Sequence, residues 1–181
     1  MAQVASSFGS SKNVLVSSPL SLSASTFTAT TALGVSATSA VGSISANLTS
    51  CRISSVNLFL NQTALQASQS SVWPFTVYFF TAAPTINGGA VWAWQYSWAS
   101  TYLGSVSLIG TSNTQTGSTG SVYSSILGFG SGTQPGIGGQ GLDVILSSSG
   151  IIYFVVVTNY AISSALTGSP ALTLSLNVST L

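Results

Sequence analysis

Lys12, Arg52 and Asp143 are the only charged side chains among 181 residues, Cys51 is the only thiol, and there is no histidine and no glutamate. The chemistry open to these four is narrow. General acid–base catalysis needs groups whose pKa can be tuned toward neutrality, usually two of them acting together. One Asp and one Cys cannot close the coordination shell of a metal ion. A Cys51 nucleophile would need a base to activate it, and no imidazole exists to serve. A serine activated by Lys12 would need that amine desolvated, whereas Lys12 lies beside a polar N-terminal stretch. The residues thus point to a protein that is not an enzyme and that takes no metal, no cofactor and no small-molecule substrate.

The same residues admit structural roles. Arg52 and Asp143 are each other's available opposite charge apart from Lys12, within one chain or across subunits. Cys51 has no intrachain disulfide partner, so it is either buried and inert or joined to its counterpart in another chain. Trp92, Trp94, Tyr96 and Trp98 fall at alternate positions, which would project them from one face of a strand. That row suits a sandwich core, an anchor at a subunit interface, or a platform on which sugars stack. Cys51, Arg52, Asp143, Trp92, Trp94, Tyr96 and Trp98 are therefore the candidate interface residues. The sequons at Asn47, Asn61 and Asn177 occur at the frequency expected by chance in a chain so rich in Ser and Thr.

The composition supports a folded domain. The chain is 45% apolar with mean hydropathy +0.56, enough for one core. The longest strongly apolar run, Ile151 to Val157, is far short of the roughly 20 residues of a spanning helix. Residues 1–8 have neither the basic flank nor the apolar stretch of a signal peptide, which gives the expectation of cytosolic synthesis without cleavage. A net charge of +1 lacks the basic footprint of nucleic-acid binding. It also removes the repulsion that keeps soluble proteins apart. Nearly a third of the residues are Ser or Thr, so hydroxyls take the place of charges in hydrating the surface.

The elements that must position these residues are strands. Leu172, Leu174, Leu176 and Val178 alternate with Thr173, Ser175, Asn177 and Ser179, a half-buried strand. Val14, Val16, Leu20 and Leu22 repeat the pattern, with Pro19 marking an edge or a bulge, and Val56, Leu58 and Leu60 do so again. Residues 72–80 are apolar on both faces, which places them centrally or at an interface. Ile151–Thr158 reads as a fully buried strand. Helical periodicity is weak, and the Ala-rich 63–70 segment has the composition of a single turn. Asn87-Gly88-Gly89 and Gly168-Ser169-Pro170 read as turns, and 111–121 and 128–141 as long polar and glycine-rich loops of functional or interface character. Residues 1–11 form a flexible arm and 12–181 one domain. About eight short strands without alternating helices predict an all-β fold, an antiparallel β-sandwich built as a single jelly roll. An immunoglobulin-like sandwich would welcome two cysteines around a tryptophan, and only Cys51 is present.

The short alternating strands 55–60, 75–80 and 153–158, with Gly/Ser/Thr loops between them, resemble single jelly-roll viral capsid proteins. In size the chain is most similar to the small major capsid protein of tailless, membrane-containing icosahedral bacteriophages, over residues 13–181. The resemblance implies a virion structural protein made in the host cytoplasm. It would assemble with copies of itself and a second capsid protein over an internal viral membrane, without touching nucleic acid directly. Two other functions fit the composition. One is an extracellular, cell-surface filament or adhesion subunit joined by β-strand complementation, with residues 14–22 as donor. The other is a carbohydrate-binding module using Trp92, Trp94 and Trp98.

Overall fold

With β-branched and aromatic residues in the apolar positions and hydroxyls between them, backbone hydrogen bonds go to neighbouring strands and not along a helix. The computed structural model describes residues 14–20, 27–34, 36, 38–60, 75–110, 121–126, 142–146, 148–161 and 172–180. The strands are β1 (Val14–Leu20), β2 (Thr31–Ala32), β3 (Val41–Ser45), β4 (Ser50–Leu60), β5 (Phe75–Phe80), β6 (Tyr102–Gly110), β7 (Ser121–Ile126), β8 (Leu142–Ile145), β9 (Ile151–Thr158) and β10 (Leu172–Thr180). The arm, the 63–70 turn, the 168–170 turn, most of the 111–121 loop and the 128–141 loop lie outside the described residues.

All pairings are antiparallel, and they make two sheets that pack face to face as a β-sandwich. In the first, β1 pairs β10, β10 pairs β4, and β4 pairs both β7 and β8 at successive stretches of its length. In the second, β2 and β3 share one side of β9, β9 pairs β5, and β5 pairs β6. The sheets join at one corner, where Ile109 and Gly110 at the end of β6 pair with Ser124 and Tyr123 of β7.

The core lies between the sheets. From the first sheet it takes Cys51, Ile53, Val56, Leu58, Leu172, Leu174, Leu176 and Val178, and from the second Phe75, Val77, Phe79, Val106, Leu108, Ile152, Phe154 and Val156. The inward positions of β4 change parity, odd at 51 and 53 but even at 56 and 58. A bulge causes this: Asn177 faces Ser55 and Val178 faces Ile53, leaving Ser54 as the extra residue. The Ser54 hydroxyl donates to the Asn177 carbonyl at 3.1 Å. One residue of slippage without the bulge would turn Cys51 and Ile53 to the outside.

The two apolar faces expected of residues 75–80 and 151–158 exist because sheet two is covered on both sides. Phe154 and Val156 face the first sheet, while Val155 and Val157 face a second apolar cluster with Ala32, Ala40, Phe80, Ile86 and Trp98. The cover is the connection between β5 and β6. Its turn forms at Asn87-Gly88-Gly89 as the sequence implies, with Gly89 at φ +74°, a conformation glycine adopts without steric cost.

Phe154 stands opposite Gly42 in the β3–β9 ladder. A Cβ on Gly42 would lie 2.4 Å from the Phe154 ring, so the missing side chain makes room for the ring. Replacing Phe154 by Ala should lower the unfolding free energy by about 3–5 kcal/mol, and Gly42→Val should also destabilise, through overpacking. Urea titrations of both variants check this; a Gly42→Val protein as stable as wild type would contradict the packing described.

Candidate assembly surfaces

Arg52 on β4 and Asp143 on β8 occupy directly opposed positions on the outer face of the first sheet. The guanidinium Nε donates to Oδ1 at 2.5 Å and a terminal nitrogen donates to Oδ2 at 2.9 Å, the two-pronged geometry of a charge-assisted pair. The pair forms within one chain. Its hydrogen bond to Arg52 holds the Asp143 carboxyl below the usual carboxylate range, and the same contact raises the Arg52 pKa.

Around this pair the outer face is a field of hydroxyls and amides broken by single apolar side chains. Thr173, Asn177, Ser54, Ser55 and Asn57 are half-buried there, while Leu15 is 68% exposed, Ile145 78% and Phe59 41%. These three are not among the residues that alternation of the sequence brings forward as functional. Phe59 has a signal all the same: it sits between Leu58 and Leu60 and takes the opposite face by period two.

Cys51 is not on this face. It is fully buried in the core opposite Val144, and burial, with a smaller contribution from Asp143, pushes its thiol up to about 11. A thiol protonated so firmly and sealed from solvent is a packing residue in this chain, with no route to a disulfide across subunits while the fold is intact.

The tryptophan row requires correction, because residues 92–98 are not a strand and do not lie between the sheets. Val91 makes one bridge with Thr31. Trp92 N donates to Thr30 O and Ala32 N to Ala90 O, at 2.7 and 3.0 Å. Beyond Trp92 no strand among the described residues continues the ladder, and Tyr96–Trp98 curls into a turn of 3-10 helix. The side chains therefore scatter. Trp98 is buried against Phe80, Trp92 stacks on Tyr78 at 4.2 Å, and Trp94 meets Tyr102 edge-on at 4.7 Å. Trp94 keeps 47% of its surface exposed and Tyr96 92%. The Trp94 and Trp98 rings lie at 88° to each other and the Trp92 and Trp98 rings at 32°.

No protein-family model, curated protein or solved structure matches this chain.

Of the candidates, Arg52 with Asp143 occupies one outer wall and Trp92, Trp94, Tyr96 and Trp98 the other. Cys51 is buried, and the Asp143 carboxylate is engaged by Arg52. Among the described residues, both walls are nearly uncharged.

The titrations give the molecule a characteristic pH profile. Asp143 ionises more readily in the fold than in the unfolded chain, so its contribution is present at neutral pH and is lost as pH falls through its depressed folded pKa. Cys51 holds its proton more tightly in the fold, so its contribution is complete below pH 9 and is lost between 9.0 and about 11. Tyr78, raised by burial and by the Tyr102 phenol, adds to the alkaline loss. Urea unfolding should give a stability that is flat from about pH 5 to 8 and declines above pH 9, with Cys51→Ala removing part of the alkaline slope. A midpoint near pH 6 to 7 would contradict this.

Proposed function

We propose that this chain is a structural subunit that assembles with copies of itself into a virion shell, as a single jelly-roll capsid protein. The observation that carries the reading is the order of strand pairing. Partners are nested along the chain: β1 with β10, β2 and β3 with β9, β4 with β7 and β8, and β5 with β6. Such nesting supports a jelly-roll reading, in which a long antiparallel ribbon is folded over so that first meets last and the middle meets itself. On this reading the ten described strand segments would fill eight positions, with β2 and β3 sharing one and β7 and β8 another.

The walls supply the rest. Assembly by charge pairing needs charges to pair, and Arg52 and Asp143 satisfy each other internally. Contacts between subunits would instead bury single apolar anchors such as Leu15, Phe59 and Ile145 within hydroxyl and amide surroundings, at about 800 Å² per partner for a contact of ordinary size. A second capsid protein and an internal membrane belong to the same reading, as does residence in the virion after synthesis in the host cytoplasm.

The shell is favoured over a strand-complemented thread by β1. Residues 14–20, the core of the donor segment a thread would require, pair in continuous register with β10 of their own chain from Val14↔Val178 to Leu20↔Leu172. Donating β1 to a neighbour would leave β10 unpaired on that side. A carbohydrate module is disfavoured by the crossed ring planes of Trp94 and Trp98.

Light scattering behind size exclusion, at low salt and at 1 M NaCl, tests the reading. The expected result is a discrete high-mass species whose mass is the same at both salt concentrations, since few charges exist for salt to screen. A strict monomer at high concentration, or a particle that falls apart on moderate salt, would overturn it.

A further inference from the structure

Of the asparagines in the chain, Asn87 alone is followed by glycine. That neighbour matters because the backbone nitrogen of the next residue can close a cyclic imide on the asparagine Cγ, and a side chain on that residue is what ordinarily obstructs the approach. Gly88 has none. The fold leaves the pair open to this reaction. Asn87 is exposed, and its carbonyl accepts from Ala90 N at 3.3 Å. That bond makes Asn87 the first residue of a four-residue turn, with Gly88 second and Gly89, at φ +74°, third. The bond that closes such a turn does not use the N–H of its second residue, and among the described residues the Gly88 N–H donates to no acceptor. The attacking nitrogen is thus uncommitted and the carbon it attacks is open to water.

The surroundings fix what the reaction would do. Residues 81–101 contain no Lys, Arg, Asp or Glu, so a carboxylate at 87 would be the first charge in the cover of the second sheet. The reacting pair also lies between two anchors: Ile86 O accepts from Ala40 N at 2.9 Å, and Gly89 N donates to Ala32 O at 3.0 Å. Between them Gly88 passes so near its neighbours that a Cβ there would lie 2.1 Å from Ser36 O and 2.8 Å from Gly34 Cα. The main chain has no room for an added atom at this point.

We propose that Asn87-Gly88 is a site of spontaneous covalent modification that turns a neutral turn into an acidic one and, in one of its two products, loosens the cover. The Gly88 nitrogen gives up its proton and bonds to Asn87 Cγ, the Cγ–Nδ2 bond breaks, and ammonia leaves. Water then opens the imide. Cleavage of the new bond at Cγ yields aspartate, and cleavage at the Asn87 main-chain carbonyl carbon yields isoaspartate, whose main chain runs through Cβ and Cγ. The sum is one water consumed and one ammonia released, with no change of oxidation state. Either product cancels the net charge of +1. The isoaspartyl product lengthens the main chain between the two anchors, which strains the bonds to Ala40 and Ala32 and slackens the cluster in which Trp92 and Trp98 pack at 5.3 Å. The inference is independent of the self-assembly reading.

Incubation of the full chain in mildly alkaline buffer tests it, with Asn87→Gln alongside and a synthetic peptide of residues 84–91 as the unfolded reference. Chymotryptic mapping by mass spectrometry, with enzymatic methylation specific for isoaspartate, reads the products. The expected result is loss of the amide at 87, as aspartyl and isoaspartyl forms, at a rate that rises with pH while the other asparagines keep theirs. Isoelectric focusing should show a more acidic band in wild type and none in Asn87→Gln, whose longer side chain closes a ring far more slowly. The isoaspartyl fraction should lose near-ultraviolet circular dichroism and melt at a lower temperature than fresh protein, whereas Asn87→Asp should keep both. A folded chain that still holds its Asn87 amide after the peptide has converted would overturn the proposal, as would amide loss spread evenly over the asparagines. An isoaspartyl fraction with the near-ultraviolet spectrum of fresh protein would overturn the loosening.

Discussion

The whole molecule is shaped by having almost no charge with which to do anything. A chain with one carboxylate side chain and two cationic ones must be held by apolar burial and by backbone hydrogen bonds, since buried polar groups need partners and its side chains can form few ion pairs. An antiparallel sandwich answers both needs. Its ladders satisfy the backbone, its inner faces bury Phe75, Phe79, Phe154 and the leucines of β10, and its outer faces need only hydroxyls to remain wet. The ion pair seen among the described residues is placed where it costs little desolvation, on an exposed wall between β4 and the short strand β8.

The two walls then diverge in character. The outward positions of the first sheet are mostly polar, so its strands alternate apolar with polar residues, as β10 does from Leu172 to Thr180. The second sheet is roofed by the β5–β6 connection, and its central strands can therefore be apolar on both sides, as β9 is. That roof carries most of the exposed aromatic surface described, held by a few backbone bonds to residues 30–32 and 40. Assembly through neutral walls of this kind would be governed by shape and apolar burial more than by ionic strength, which is the physical content of the shell reading.

Much of the fold was legible wherever alternation was unbroken. β10, β9, the 56–60 half of β4 and the two-sided β5 are all visible as period-two or continuous apolar runs. The other half of β4 was hidden by its bulge: Cys51 and Ile53 are out of phase with Val56 and Leu58, and only the pairing with β10 shows that one strand contains both. The tryptophans misled for a related reason. Alternation from Trp92 to Trp98 has the period of a strand, but a strand also needs a neighbour to complete its ladder, and past Trp92 the described residues supply none. The Arg52–Asp143 pair was accessible because each had so few alternatives.

The central claim is that a nested, self-paired sandwich associates through its neutral walls into a closed particle. Electron cryo-microscopy of the particles formed by the purified chain, carried to a resolution that traces the strands, tests it most directly. The account predicts a closed assembly in which β1 stays paired with β10 of its own chain and the subunits meet through side chains of the outer walls. Open fibres in which β1 of one chain lies in the sheet of the next would contradict it, as would a field of separate monomers.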